Sequence, residues 1–306
     1  MADVRVGIVS YNTATLLDRC LAALPAALHG LDAEVVVVDN ASRDESVDVA
    51  RRHPSVDVRS NDTNVGYARA MNVALADTDA PVLIALNPDA VAGPGSLASL
   101  VARLRDDPTI GLVVPLLRNE DGSLQHSVHR FPSASVALTM GFVPPPLRRG
   151  RIGERFWLEG FADDAFRRGG DIPWAIGAVH AIRTEAVADP AHPYTERWFM
   201  YAEDMELCAR LHDTGWRVVL EPAAEVVHAG NVAGAAEFGE GRDARWLRAT
   251  YEWSQDERGA WPTRAMALAW SAGLATKWVA WRLKGGRDQA KRVASELKEH
   301  ARHLRA

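Results

Sequence analysis

The chain has little cysteine. Two cysteines in 306 residues, Cys20 and Cys208, leave no material for a disulfide scaffold, and neither stands in a paired metal-ligand spacing. No uninterrupted apolar run reaches the roughly 18 residues of a conventional membrane-spanning helix. Positive charge is not in excess: 35 Lys and Arg against 40 Asp and Glu give a net charge of -5, so no nucleic-acid partner is expected. GxGxxG does not follow the first strand, and GxxxxGK[ST], HExxH, GxSxG and CxxC are absent. Dinucleotide binding through the usual glycine fingerprint and P-loop phosphoryl transfer thereby lose their best support. The opening "MADVRVGIVSYN" carries an acid at position 3 and reads as an immediate strand rather than a leader, so a cytoplasmic enzyme is expected.

What is present is a core. Apolar residues make up 47% of the chain, enough for one large domain or one domain with an appendage. Over residues 1–117 two periodicities alternate. Strands are expected at 4–10, 34–40, 56–60, 81–86 and 110–117, and helices at 13–24, 42–52, 66–76 and 95–105. Ser42, three residues before Glu45, has the spacing of a capping box. Strands so uniformly apolar belong where helices cover both sheet faces, which predicts an open, mostly parallel α/β sheet.

Residues 118–133 carry Asp121-Gly122, a hairpin signal, and 143–157 form a Pro/Arg/Gly-rich loop. A strand and short helix are expected over 171–187. A helix from 203 stops at Gly215, and two further strands end at His228. The character changes after residue 240. Six of the ten tryptophans lie at 246, 253, 261, 270, 278 and 281, and Trp270, Leu274, Trp278 and Trp281 share a helical face. Residues 277–306 hold nine Lys/Arg against three Asp/Glu, a net charge of +6. A basic amphipathic end with interfacial aromatics suits a membrane surface; a helix packed back on the domain is the other reading. The expected organisation is 1–240, in halves 1–117 and 118–240, followed by a helical extension over 241–306.

In open α/β sheets ligands sit beyond the carboxyl ends of the strands. Four polar elements fall on that rim: Tyr11-Asn12, Asp39-Asn40, Asn64 and Asn87-Pro88-Asp89. Turn chemistry accounts for any one of them; four on one rim favour a ligand site. Asp89, the Glu203-Asp204 pair opening a helix, and His228 closing a strand could together hold a divalent metal and leave one carboxylate as a base. A helix cap and a core histidine explain Asp204 and His228 more cheaply.

The ordered segments "VGIVSYNTATLLDRCLAAL", "VVVVDNASRDES", "NVGYARAMNVAL", "LNPDA", "WAIGAVHAIRTEAV" and "FMYAEDMELCARLHDTGWRVVLEPAAEVVH" resemble the family 2 glycosyltransferases of the GT-A fold. The resemblance covers roughly residues 4–230 and is closest to the rhamnosyltransferase-like branch. It implies a Rossmann-like, mostly parallel sheet flanked by helices. It sets Tyr11 and Asn12 beside the nucleotide and Asp39 near the base or ribose, with Asn40 where many relatives have a second Asp. Asn64, Gly66 and Asn72 are expected on the donor floor, and Gly177 and Ala178 against the donor sugar. The metal motif survives as Asn87-Pro88-Asp89, with Asp89 the implied ligand and His228 a further contributor. Asp204 is the implied catalytic base; Glu203 either meets the acceptor or is an ordinary first-turn acid. Arg210 is either a phosphate contact or a structural arginine, and His180 is expected in the packing.

The implied reaction is inverting transfer of a sugar, with L-rhamnose favoured, from a nucleoside-diphosphate sugar linked to dTDP or UDP. Mg²⁺ or Mn²⁺ would sit on the donor pyrophosphate. The acceptor is a glycan, a lipid-linked sugar or a small molecule, with residues 128–172 forming much of its site. Peripheral contact with the cytoplasmic face of a membrane through 261–306, or a homodimer, would give the tail a purpose. Two alternatives remain: a non-catalytic nucleotide-sugar-binding protein, and a sugar-phosphate nucleotidyltransferase. The latter normally carries a glycine-rich basic loop where this chain has "SYNTATLLDR".

Overall fold

Val4, Val6 and Ile8 alternate along the first strand and are fully buried with Leu17, Leu21 and Leu24 of the following helix in one core. This pairing of a period-two strand with a helical stripe repeats through the first half of the chain. The computed structural model describes residues 2–143, 168–230 and 242–304. Of the expected loop 143–157, all but residue 143 falls outside them, with Arg148, Arg149 and Arg151. The chain divides into two compact units, one of Met1–Val128 with Asp163–Arg242, the other of His129–Ala162 with Asp243–Ala306.

In chain order the elements of the first unit begin with β1 (Val4–Ser10), α1 (Ala14–Ala27), β2 (Ala33–Asp39), α2 (Ser46–Arg51), β3 (Val56–Ser60) and α3 (Tyr67–Leu75). β4 (Val82–Leu86), β5 (Ala90–Ala92), α4 (Ser96–Asp106) and β6 (Ile110–Arg118) follow. After β7 (Val128–His129), at the border of the units, and α5 (Ala134–Phe142) of the second unit come β8 (Gly170–Asp171), β9 (Trp174–Ala175), β10 (Val179–Arg183), α6 (Glu203–Asp213) and β11 (Arg217–His228). The main sheet runs β3-β2-β1-β4-β10-β6-β11-β5, with β8 also on β11. β3, β2, β1 and β4 are mutually parallel, as are β6 and β11. β10 is antiparallel to both its neighbours. Its reversal brings the start of β10, not its end, to the rim where β1, β2 and β4 finish.

Two local expectations are corrected. Ser42 and Glu45 form no capping box, because the helix begins only at Ser46. Ser42 instead ties two strand ends together: its N–H donates to Asp39 Oδ2 at 2.9 Å, and its Oγ accepts from Asn12 N–H at 2.9 Å. The two strands expected over 217–230 are one, β11, whose pairing with β6 slips between Glu221 and Glu225. An interrupted ladder of this kind reads as two strands in a sequence because the irregular residues break the alternation.

Asn40 holds the rim together. Only 2% exposed, it donates Nδ2 to Asn64 Oδ1 at 2.7 Å and to Gly66 O at 3.2 Å. Its Oδ1 accepts from Asn61 Nδ2 and Val65 N–H, both at 3.0 Å. An amide supplies donors and acceptor at once; a carboxylate in its place would face two oxygens.

The second unit contains α5, α7 (Arg242–Arg258), α8 (Ala260–Leu283) and α9 (Arg287–Arg302). α5 and α8 meet at Gly141 and Gly273, where a Cβ on Gly273 would lie 2.5 Å from Gly141 Cα. Tyr251, Met266 and Ala267 form its core with Ala137. The helical face predicted at the tail is inward only over its first half: Trp270 is half-buried and Leu274 buried, while Trp278 and Trp281 are 37% and 40% exposed.

Replacing Asn40 with Ala strips four hydrogen bonds from partners of which Gly66 is buried and Asn61, Asn64 and Val65 are half-buried. Unfolding in urea is expected to show a loss of about 2–3 kcal/mol, the cost of stranding such groups; a loss under about 0.5 kcal/mol, the scale of an ordinary surface change, would show the cluster to be dispensable.

Candidate active site

Asp89 and His228 meet because β5 and β11 pair antiparallel with Ala90 opposite His228. Ala229 N–H also donates to Asp89 O at 3.0 Å, fixing the register one residue further. Both side chains are buried, at 5% and 4% exposure. Gln125 settles the imidazole's tautomer. Its Nε2 donates to Asn119 Oδ1 at 2.9 Å and His228 O at 3.3 Å, so its Oε1, 2.8 Å from His228 Nδ1, must accept from the ring. Nε2 of the neutral ring then carries a lone pair.

That lone pair lies 3.2 Å from Asp89 Oδ1, within ion-pair distance, yet Nε2 has no hydrogen-bond partner among the described residues. The distance and the missing bond agree once direction is considered: the contact is close but lacks hydrogen-bond alignment. Two electron-rich atoms so placed suit a cation between or beside them. Imidazole nitrogen and carboxylate oxygen, with an oriented outer partner in Gln125, fit a divalent metal. Among the described residues no third His, Cys, Asp or Glu joins them.

The second centre opens α6. Tyr201 and Ala202 precede it with φ of 74° and 72°, left-handed backbone that costs an L-residue roughly 1–2 kcal/mol each. This turn delivers Glu203 and Asp204 to the helix start. Asp204 Oδ2 accepts from Gly177 N–H at 3.0 Å, and Oδ1 from Met205 N–H at 2.8 Å. A Cβ on Gly177 would stand 3.4 Å from Asp204 Cβ, at van der Waals contact, so the two residues are close-packed here. Burial raises the Asp204 pKa, and the two backbone donors oppose it. Glu203 is 6% exposed, with Oε2 unpartnered among the described residues. Burial first, then the neighbouring Asp204 charge, pushes Glu203 up to about 8. The two N–H groups point at Asp204, so within the pair they favour the proton on Glu203 and the charge on Asp204.

The two centres share a rim. Asn87 N–H donates to Ala178 O at 2.9 Å, and Gly177, one residue earlier, binds Asp204, so two hydrogen bonds and one peptide step join the Asn87–Asp89 elbow to the acid pair. Tyr67 sits among them, its hydroxyl donating to Gly177 O at 3.4 Å. Its pKa is raised by burial and then by Glu203, Asp204 and Asp89, so one phenol feels all three carboxylates. Neither Tyr67 nor Gln125 was singled out from the sequence. Tyr67 stands inside "NVGYARAMN", where Asn64, Gly66 and Asn72 carry the family signal; Gln125 carries no local signal, being placed by the Asp121-Gly122 turn.

The other expected residues divide. Asp39 is 2% exposed, and its Oδ1 lacks a partner among the described residues. Tyr11 and Asn12 follow β1 half-buried, with Asn12 at φ 52° accepting from Arg43 N–H at 2.7 Å. Asn64 accepts from Gly66 N–H at 3.1 Å. Gly66 is required at φ 90°: a Cβ there would stand 2.4 Å from Phe199 O. Asn72 is turned to other work, its amide bonded to Tyr194 O at 2.8 Å and Tyr194 N at 3.0 Å. His180 is packed in the core, bridging Tyr194 Oη at 3.1 Å and Ala175 O at 3.2 Å, and burial lowers its pKa to about 4. Arg210 is structural, bonded to Glu206 at 2.8 Å and Pro193 O at 2.7 Å.

A mostly parallel sheet with one reversed inner strand, and acids gathered at its carboxyl rim, is the GT-A architecture of nucleotide-sugar enzymes. It is shared with a mannosyltransferase, PcManGT from Pyrobaculum calidifontis, solved with GDP-Man and Mn²⁺, at TM-score 0.58 and 20% identity over 99% of this chain and 87% of that one. S. aureus TarS 1-349 matches at TM-score 0.52 and 14% identity over 97% and 91%. The chain belongs to glycosyl transferase family 2, whose family model matches residues 5–188, and it is a glycosyltransferase. It is 31% identical, over 74% of its own length and 76% of the relative's, to the N-acetylglucosaminyl-diphospho-decaprenol L-rhamnosyltransferase of Mycobacterium tuberculosis. A pre-mycofactocin glycosyltransferase of that organism is 28% identical over 74% of this chain and 42% of its own length.

The protonated state of Glu203 can be read from stability. Below its ordinary pKa of 4.5 the folded and unfolded chains both hold the proton; between there and about 8 only the folded chain does. Wild type should therefore lose stability relative to Glu203→Gln as pH rises from about 4.5 to about 8, then run parallel to it. Urea midpoints at pH values across that window check this, and parallel curves throughout would place the charge on Glu203.

Proposed function

We propose that this glycosyltransferase inverts the sugar's anomeric centre, moving L-rhamnose from a dTDP- or UDP-linked donor to a hydroxyl of a lipid-linked sugar. The bond from Gly177 N–H to Asp204 carries the proposal. A carboxylate so oriented, beside a Glu203 that burial keeps protonated up to about 8, can take the acceptor's O–H proton. The oxygen then forms its bond to the anomeric carbon as the opposite bond, to the nucleoside diphosphate, breaks. Attack and departure on opposite faces invert the centre.

The remaining residues orient the donor. Asp39 Oδ1, buried and unpartnered, can accept from a ribose hydroxyl or a base N–H. Asp89 and His228 would hold Mg²⁺ or Mn²⁺, which supplies Lewis-acid stabilisation of the departing diphosphate. Gly177 admits the sugar beside Asp204 because it adds no side chain. The lipid-linked acceptor and the rhamnosyl donor rest on the printed activity of the mycobacterial relative, and a metal-dependent donor on the mannosyltransferase complex.

Asp204→Asn preserves an acceptor for Gly177 N–H and removes the base. Turnover should fall about 10²-fold or more with donor affinity unchanged; unchanged turnover would take Asp204 out of the role. A chelator should suppress transfer, and added Mn²⁺ or Mg²⁺ restore it. Transfer indifferent to chelation would deny the Asp89–His228 pair a catalytic metal.

A further inference from the structure

The outward face of α8 is apolar from end to end. Trp261, Leu268, Val279 and Leu283 are 79%, 62%, 47% and 84% exposed, and Ala265 and Ala272 between them are exposed too. Their spacings of three, four and seven put all six on one stripe, about 33 Å long at helical rise. It lies opposite the face that buries Met266, Ala267 and Leu274 within the unit. A helix apolar on two faces has one side committed to its own fold and another to something else.

Charge identifies the occupant. α8 bears Arg264, Lys277 and Arg282 and no carboxylate at all. A second copy pairing along this stripe would set the like charges of two basic rows near each other, and α8 itself offers Arg282 no acid in return. An anionic surface accepts the same rows. The cations flanking the stripe are arranged for it: Arg264 lies 5.8 Å from the ring of Trp261 at its head, and Arg282 near its far end lies 5.6 Å from Trp278. Aromatic rings capped by cations suit the headgroup layer, with the aliphatic stripe below it. No described helix is long and apolar enough to cross a membrane, so contact lies along the surface. We propose that α8 binds an anionic lipid bilayer through the stripe Trp261–Leu283, with its arginines at the headgroups. The proposal deepens the reading of a lipid-linked acceptor but rests on the helix itself.

Co-sedimentation of the full chain with vesicles tests it. Wild type should pellet with vesicles containing about one-third phosphatidylglycerol and stay in solution with phosphatidylcholine alone, since the cations supply much of the attraction. Raising salt from about 0.1 M to about 0.5 M should weaken binding as screening shortens. Leu268→Glu with Leu283→Glu should cut partitioning about tenfold or more, the scale of one lost leucine burial. Donor hydrolysis without vesicles reads the transfer chemistry separately and should be equal in both proteins. Wild type remaining in the supernatant, or both proteins pelleting equally, would overturn the proposal. So would a concentration-dependent dimer by light scattering that the double substitution abolishes, which would give the stripe to a second copy.

Discussion

The hydrogen bond from Gly177 N–H to Asp204 Oδ2 joins the two halves of the site's chemistry. Gly177 precedes a strand that runs against its neighbours, and that reversal alone brings it to the rim where Asn87 and Asp89 stand. The same peptide segment accepts from Asn87 N–H and from the Tyr67 hydroxyl. Helix α6, strand β4 and helix α3 are thus indexed to one short stretch of backbone. The backbone donors on Asp204 also bias the pair's charge toward that acid.

Much of this was legible in advance. β1 and β3 coincide with the predicted runs, and the helix ends over the first 106 residues shift by no more than a few positions, apart from the late start of α2. Regular burial explains that success for β1, covered throughout and so apolar throughout, while the edge strand β3 shows itself by alternation, Val56 and Val58 against Asp57 and Arg59. The carboxylate and histidine that meet across β5 and β11 were singled out as types, although 139 positions separate them. Their contact is a matter of register, which no local pattern encodes.

The failures share a cause. Ser42 looked like a helix cap because its spacing to Glu45 is right; the strand-end turn at Asn12 took its hydroxyl instead. Asn72 looked like part of a binding floor and is spent on the chain at Tyr194. Tyr67 and Gln125 acquire their importance from partners about 110 and 103 residues away. Polar side chains are assigned by whichever unsatisfied group the fold brings nearest, and that is settled in three dimensions. The tail shows the complementary case. Its tryptophans advertised an interface; the face they define is buried around Leu274 and exposed by Trp281, and the outward stripe opens with Trp261 and is continued by smaller residues.

β5 is three residues long and forms the outermost strand of its sheet, the position where ladders fray first. Asp89 precedes it and His228 lies across from it, so an ion shared by the two would clasp the sheet's margin like a rivet through two overlapping plates. Loading the donor and seaming the edge would then be a single event, with the tightness of the seam set by the ion rather than by the strand.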